Sequence, residues 1–218
     1  MRYDTVLFDL DGTLTDPGQG IKNSVRYALR KSGVPIPSEE VLDQFIGPPL
    51  YESFEKLCGM PQDASLQAVA YYREYFSAGG MFENEVIPGI PELLGALNDA
   101  GIRCIVATAK PEVFTVQILR HFELDQYFSF GAAATLDKSR AHKDEVIAYA
   151  LENGGIPEGS SIVMVGDRDQ DVNGAAANGL PCIGVLFGYG SREELESAGA
   201  IQIAGTPAML GQYLLGEN

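Results

Sequence analysis

The chain holds few of the residues that build soft-metal sites and nucleophile–base pairs: three cysteines and two histidines in 218 residues. Cys58, Cys104 and Cys182 lack metal-ligand spacing, which leaves a zinc site without ligands of that kind. An odd cysteine count without an export signal predicts free thiols in a reducing compartment. Cys104 and Cys182 sit inside apolar runs and are expected as small buried hydrophobes. His121 and His142 pair neither with each other nor with a candidate nucleophile, so a histidine-activated nucleophile has no footing. Basic residues are scarce: 15 Lys and Arg stand against 30 Asp and Glu, for a net charge of −15. That balance excludes a nucleic-acid polymer or an anionic membrane surface as the main partner. It also requires that an anionic substrate be drawn in by a local positive site or a metal. No apolar run approaches membrane-span length, and the start Met-Arg-Tyr-Asp lacks a secretory apolar region, so a cytoplasmic location is expected.

What is present is sharper. Residues 5–13 read Thr-Val-Leu-Phe-Asp-Leu-Asp-Gly-Thr. The apolar run Val6-Leu7-Phe8 predicts a buried parallel strand, with Asp9 and Asp11 at its C-terminal end. Open α/β sheets bind ligands at that rim. Two carboxylates one residue apart repel unless a cation or a shared proton relieves them, and a hard divalent ion such as Mg²⁺ favours oxygen ligands.

After this strand the pattern is helical only. Ile21, Val25 and Leu29 repeat every four residues and stop at Gly33. Ser38 is placed to cap a short helix with Val41, Leu42 and Phe45. Leu50, Phe54, Leu57 and Cys58 form a further apolar face ending at Gly59. Asp63 is placed to cap a fourth helix. The borders, at Asp16-Pro17-Gly18-Gln19-Gly20 and from Gly79-Gly80 to Pro88-Gly89, are rich in element breakers and read as hinges. The expected organisation is therefore a core of residues 1–17 and 83–218 with a helical unit of residues 18–82 inserted into it. Two connections of this kind permit rigid-body closure over a site.

From residue 90 onward helices and strands alternate. Strands are expected at 103–107, 128–133, 161–165 and 181–185. Helices are expected over 113–122, around Val146–Leu151 and through Ala175–Ala177. Ser191 and Glu194 have capping-box spacing, and Thr206-Pro207 opens a last helix. The alternation predicts an α/β fold, a Rossmann-like parallel sheet with helices on both faces. In strand order 3-2-1-4-5 the order reverses between the strand of Asp9 and the strand ending at Gly166, where a crevice opens.

Three further segments reach that rim. Ile105-Val106-Ala107 ends in Thr108-Ala109-Lys110-Pro111, where a hydroxyl and nearby backbone N–H groups suit phosphate oxygens. Lys138, Arg140 and Lys143 precede the helix of residues 144–152, and spacing does not choose between them. Val165-Gly166-Asp167-Arg168-Asp169-Gln170-Asp171 closes a strand with acids four residues apart.

The run Asp9-Leu10-Asp11-Gly12-Thr13-Leu14-Thr15-Asp16 resembles the first signature of the haloacid dehalogenase superfamily of phosphohydrolases. Thr108, a lysine before a helix, and Gly166-Asp167 with Asp171 match the later signatures in family order. The resemblance covers nearly the whole chain and selects Lys143, although Asp144 replaces the proline that often follows this lysine in the family. It implies a phosphoric monoester hydrolase in which Asp9 is the nucleophile and Asp11 the general acid and base. It further implies that Leu10, Asp11, Thr108, Ala109 and Lys143 hold the phosphoryl group. Asp9, Asp11 and Asp167 then hold Mg²⁺, with Asp171 supporting the metal shell.

Within the family, the intact Asp11 counts against dehalogenases and phosphonate-cleaving members. The stretches Pro17–Ile21 and Phe45–Leu50 lack the histidine and basic residues of the β-phosphoglucomutase-like members. The nearest resemblance is to phosphoglycolate phosphatases and 5′-nucleotidase-like phosphatases, which implies a phosphoglycolate phosphatase-like activity on a small phosphorylated metabolite. A 5′-nucleotidase acting on nucleoside monophosphates is the alternative, and a non-catalytic phosphometabolite-binding member the remaining one. The helical unit is then a cap, with Ile46, Gly47, Pro48, Leu50 and Lys110 as the residues expected to meet the substrate's leaving group. A monomer or weak homodimer is expected.

Overall fold

A computed structural model describes residues 3–137 and 139–216. Along the chain the elements are β1 (Thr5–Phe8), β2 (Thr15–Asp16), α1 (Gly18–Ser32), α2 (Glu39–Asp43), α3 (Leu50–Cys58), α4 (Gln62–Ser77), β3 (Glu85–Val86), α5 (Ile90–Asp99) and β4 (Arg103–Pro111). They continue as α6 (Glu112–His121), β5 (Phe130–Ala134), α7 (Lys143–Asn153), β6 (Ile162–Gly166), α8 (Asp169–Ala177), β7 (Cys182–Val185), α9 (Arg192–Ala198), β8 (Gln202–Ala204) and α10 (Pro207–Leu215). No described helix is long and apolar enough to cross a membrane. The chain divides into two compact units, residues 1–15 with 86–218 and residues 16–85.

The first unit is built on a six-stranded sheet in the order β5-β4-β1-β6-β7-β8, with the named pairs parallel. β1 is central because both of its faces are apolar: Val6, Leu7 and Phe8 are fully buried. Strands covered on both faces carry continuous apolar runs rather than alternation. On one face Leu7, Ile105 and Met164 join Val146, Ile147 and Ala150 of α7 and Val172 and Ala175 of α8 in one core cluster. α5 packs with α10, and Ile90, Leu94, Leu97, Leu210 and Leu214 are fully buried.

From β1 the chain passes to β4 and β5 on one side, then returns to β6 on the other. This is the predicted order 3-2-1-4-5 with a sixth strand, β8, added at the edge. One expectation shifts. β4 extends to Pro111 instead of ending at residue 107, so Thr108 and Lys110 are strand residues. Pro111 lies at the cap position of α6.

The second unit contains the first four helices. Its α1 carries Ile21, Val25 and Leu29 on a buried face and ends at Gly33 with φ of 69°. α3 ends the same way at Gly59. Ser38 takes the cap position of α2 without a side-chain capping bond. α4 opens at Pro61-Gln62, which moves Asp63 from the expected cap into the first turn, where a negative charge suits the helix dipole. Phe45 packs edge-on against Phe54, and Tyr72 stacks on Phe76. β2 and β3, the two-residue strands where the chain passes between units, pair with each other.

Candidate active site

The site lies at the C-terminal ends of β1, β4 and β6. The Asp9 N–H donates to Val165 O of β6 at 2.9 Å, so the residue after β1 is still locked into the sheet. The chain then turns sharply. Leu10 O accepts N–H groups of Thr13, Leu14 and Thr15 at 3.3, 2.9 and 3.0 Å. Gly12 makes this turn with φ of +81°, and a Cβ there would lie 2.3 Å from Asp167 Oδ2. A left-handed backbone and a close approach both require glycine.

Four carboxylates and two ammonium groups meet there. Lys143, at the start of α7, places Nζ 2.6 Å from Asp9 Oδ1, 2.8 Å from Asp171 Oδ1 and 3.0 Å from Ala107 O. Burial works against its charge, but the carboxylates of Asp171 and Asp9 raise its pKa above the ordinary lysine value. Lys110 Nζ lies 2.7 Å from Asp11 Oδ2. Burial raises the Asp11 carboxyl, and Lys110 opposes that rise. Asp167 is fully buried and raised well above the usual carboxylate range, by burial first and then by Asp171 and Asp9. Asp171 is pushed up to about 6, again chiefly by burial, with Lys143 opposing.

Asp9, Asp167 and Asp171 each offer an oxygen within 4.8 Å of the others. Asp171 is already engaged on both sides, by Lys143 and by the Arg168 N–H at 3.1 Å. Asp167 Oδ1 is buried without a hydrogen-bond partner among the described residues. Asp9, Asp11, Asp167 and Asp171 carry four formal negative charges against two positive ones from Lys110 and Lys143, an excess of two. An all-oxygen donor set with this charge fits a hard divalent cation.

Thr108 is buried at the rim, and its Oγ1 accepts the Lys110 N–H at 3.2 Å. That leaves the hydroxyl proton available to an oxygen in the crevice. Leu10 and Ala109 belong to the same rim, following β1 and within β4. The Lys110 side chain is 6% exposed and paired with Asp11. Ile46 is buried at 1%, whereas Gly47, Pro48 and Leu50 are partly exposed in the second unit. Lys138 lies outside the described residues.

Sequence reading passed over the loop after β7. The Tyr189 N–H donates to Asp167 Oδ2 at 2.7 Å. A Cβ at Gly188 would lie 2.3 Å from Gly12 O, and one at Gly190 would lie 1.8 Å from Asp167 O. The glycines of Phe187-Gly188-Tyr189-Gly190 were the available signal. The capping-box spacing of Ser191 and Glu194 holds, with the Glu194 N–H donating to Ser191 Oγ at 3.1 Å, and the Glu194 carboxylate also accepts from Arg168 Nε at 2.8 Å and Asp169 N at 3.0 Å. It thereby anchors the segment that follows Asp167.

Residues 6–185 match the haloacid dehalogenase-like hydrolase family. A Pseudomonas aeruginosa protein named 5′-nucleotidase is 44% identical over 98% of this chain and 96% of its own. A Mycobacterium tuberculosis protein named tyrosine-protein kinase PtkA is 42% identical over 88% of this chain and 65% of its own. A Salmonella choleraesuis phosphoglycolate phosphatase is 28% identical over 87% of this chain and 84% of its own. Among solved structures, a predicted phosphatase from Clostridium acetobutylicum superposes with a TM-score of 0.94 at 45% identity, covering 99% of this chain and all of that one.

Proposed function

The chain belongs to the haloacid dehalogenase-like hydrolases, and on that premise we propose that it is a Mg²⁺-dependent phosphomonoester hydrolase working through an aspartyl-phosphate. The observation that carries this reading is the charge arrangement at one sheet rim. Lys143 holds Asp9, and the buried carboxylates outnumber the nearby ammonium groups, a donor set suited to a divalent ion.

In this reading Asp9 attacks phosphorus and the ester oxygen leaves. Asp11 protonates that oxygen, then takes a proton from the water that hydrolyses the acyl-phosphate. Thr108, Lys143 and backbone N–H groups near Leu10, Asp11 and Ala109 hold the phosphoryl oxygens while charge develops on them. Asp9, the main-chain carbonyl of Asp11, and Asp167 would hold Mg²⁺, with Asp171 in support; a bound ion there would supply charge shielding between the carboxylates and the phosphoryl group. The second unit serves as a cap that supplies leaving-group contacts, with Pro48 and Leu50 as candidates.

For the substrate, a small phosphorylated metabolite is supported by both groups of named phosphatases. The 5′-nucleotidase name comes with the higher identity over nearly the full length of both chains, and it favours nucleoside monophosphates over phosphoglycolate. A panel of nucleoside monophosphates, phosphoglycolate and sugar phosphates, assayed for phosphate release with Mg²⁺ and with chelator, tests the reading. Release from nucleoside monophosphates that stops in chelator is the expected result. Binding without turnover across the panel overturns it in favour of a non-catalytic member.

A further inference from the structure

Asp11 has one tethered oxygen and one free oxygen. Its Oδ2 lies 2.7 Å from Lys110 Nζ, in a pair whose side chains are only 6% and 11% exposed. Its Oδ1 is buried and has no hydrogen-bond partner among the described residues. Lys110 is itself fixed at its root. Its N–H donates to Thr108 Oγ1 at 3.2 Å, and its carbonyl accepts from Thr115 Oγ1 at 3.3 Å. The β4–β5 register shifts between Thr108 and Pro111, the kind of irregularity that re-aims side chains beside active sites.

We propose that Lys110 is a positioning residue that fixes the Asp11 carboxyl group so that Oδ1 is the atom exchanging the proton. An ammonium group only donates hydrogen bonds. Oδ2 must therefore accept from Lys110, and the acidic proton resides on Oδ1. In the first step the Asp9–phosphorus bond forms, the bond from phosphorus to the ester oxygen breaks, and that oxygen takes the Oδ1 proton. In the second step water attacks phosphorus, its proton returns to Oδ1, and the Asp9 carboxylate is released with inorganic phosphate. Lys110 stays charged throughout and moves no proton. A carboxyl group free to rotate would present either oxygen, and proton transfer is sensitive to misplacement on the ångström scale.

This inference rests on the reading of Asp11 as the proton-exchanging group, and the test separates the two. Phenyl phosphate and p-nitrophenyl phosphate share a shape but differ in how much their leaving oxygens need a proton. The measurement is kcat/KM for both esters with Lys110→Met, Asp11→Asn and the double variant. Lys110→Met is expected to lower kcat/KM by about 100-fold for phenyl phosphate and by under about tenfold for p-nitrophenyl phosphate, the scale of general-acid catalysis. In the Asp11→Asn background the same change is expected to add less than about threefold, as for residues acting through one another. Equal falls for the two esters, or a full additional loss in the double variant, overturn the role of Lys110. If Asp11→Asn itself lowers both esters equally, the assignment of Asp11 falls and the lysine proposal with it. Lys110→Gln carries the same comparison should Lys110→Met fail to give a cooperative melting transition.

Discussion

Nζ of Lys143 stands 2.6 Å from Oδ1 of Asp9, across 134 residues of sequence. The same ammonium lies 2.8 Å from Asp171, so removing it leaves two buried carboxylates facing each other. Breaking a buried pair by deleting one partner costs about 3–5 kcal/mol. Lys143→Ala is therefore expected to lower stability on that scale in metal-free protein, and to lower phosphate release by at least about 100-fold where phosphoryl charge is being stabilised. Denaturant midpoints and steady-state rates check the two effects separately.

Asp9→Asn keeps the side-chain shape but removes the nucleophilic oxygen charge and one member of the acidic cluster. Turnover is expected to disappear while the melting temperature in metal-free protein stays close to that of the parent. Residual turnover within about tenfold of the parent, a loss far smaller than covalent catalysis supplies, would move the nucleophile elsewhere.

The residues that proved legible are those whose local chemistry has one solution. Val6–Phe8 reads as a two-faced strand because both faces are covered. Gly33 and Gly59 end their helices because they adopt the left-handed conformation. Ser191 and Thr206 cap α9 and α10 through their own side chains. What escaped depends on long-range placement. β8 is three residues long with Gln202 exposed, so its pattern is too short to separate from a loop. Lys110 reads as a rim lysine until the β4 irregularity brings it to Asp11. Glu194 has the spacing of a cap residue and fills that place, but the spacing says nothing of Arg168, 26 residues earlier, whose Nε also donates to its carboxylate.

The acidic cluster predicts a coupling between pH and metal. Burial pushes the Asp171 carboxyl up to about 6 from the ordinary 3.8, and raises Asp167 as well. Between those values the folded state holds protons that the unfolded chain has released. Linkage then makes metal-free stability fall as pH rises through that window, and the penalty is complete above it. Mg²⁺ competes with those protons at pH 5 and meets fewer of them at pH 7.5. The rise in melting temperature on adding saturating Mg²⁺ is expected to be larger at pH 7.5 than at pH 5. An equal rise at both would place the ion away from Asp167 and Asp171.

Gly188→Ala tests the loop that closes on Asp167. Its Cβ would fall 2.3 Å from Gly12 O and 2.4 Å from Asp167 Oδ2, so the loop or the carboxylate has to shift. The Mg²⁺ concentration for half-maximal activity is expected to rise by about 10–100-fold, the usual cost of disturbing groups that orient a metal ligand. A metal titration compared with that of the parent decides it.

Substrate choice is expected to be altered from the second unit and not from the rim. The rim residues contact the phosphoryl group, which every phosphomonoester shares, so they discriminate poorly between leaving groups. Within the segment expected to meet the substrate, Ile46 is buried and Ile46→Arg would place a charge in a packed interior, a folding defect that says nothing about specificity. Leu50, at the start of α3 and partly exposed, accepts a longer polar side chain without that cost. Leu50→Arg is expected to change the ratio of kcat/KM between a nucleoside monophosphate and phosphoglycolate by about tenfold, the range that one altered contact supplies. Its kcat/KM for p-nitrophenyl phosphate should move less than that ratio does. A common fall across all three substrates would assign the segment to structure and place specificity elsewhere.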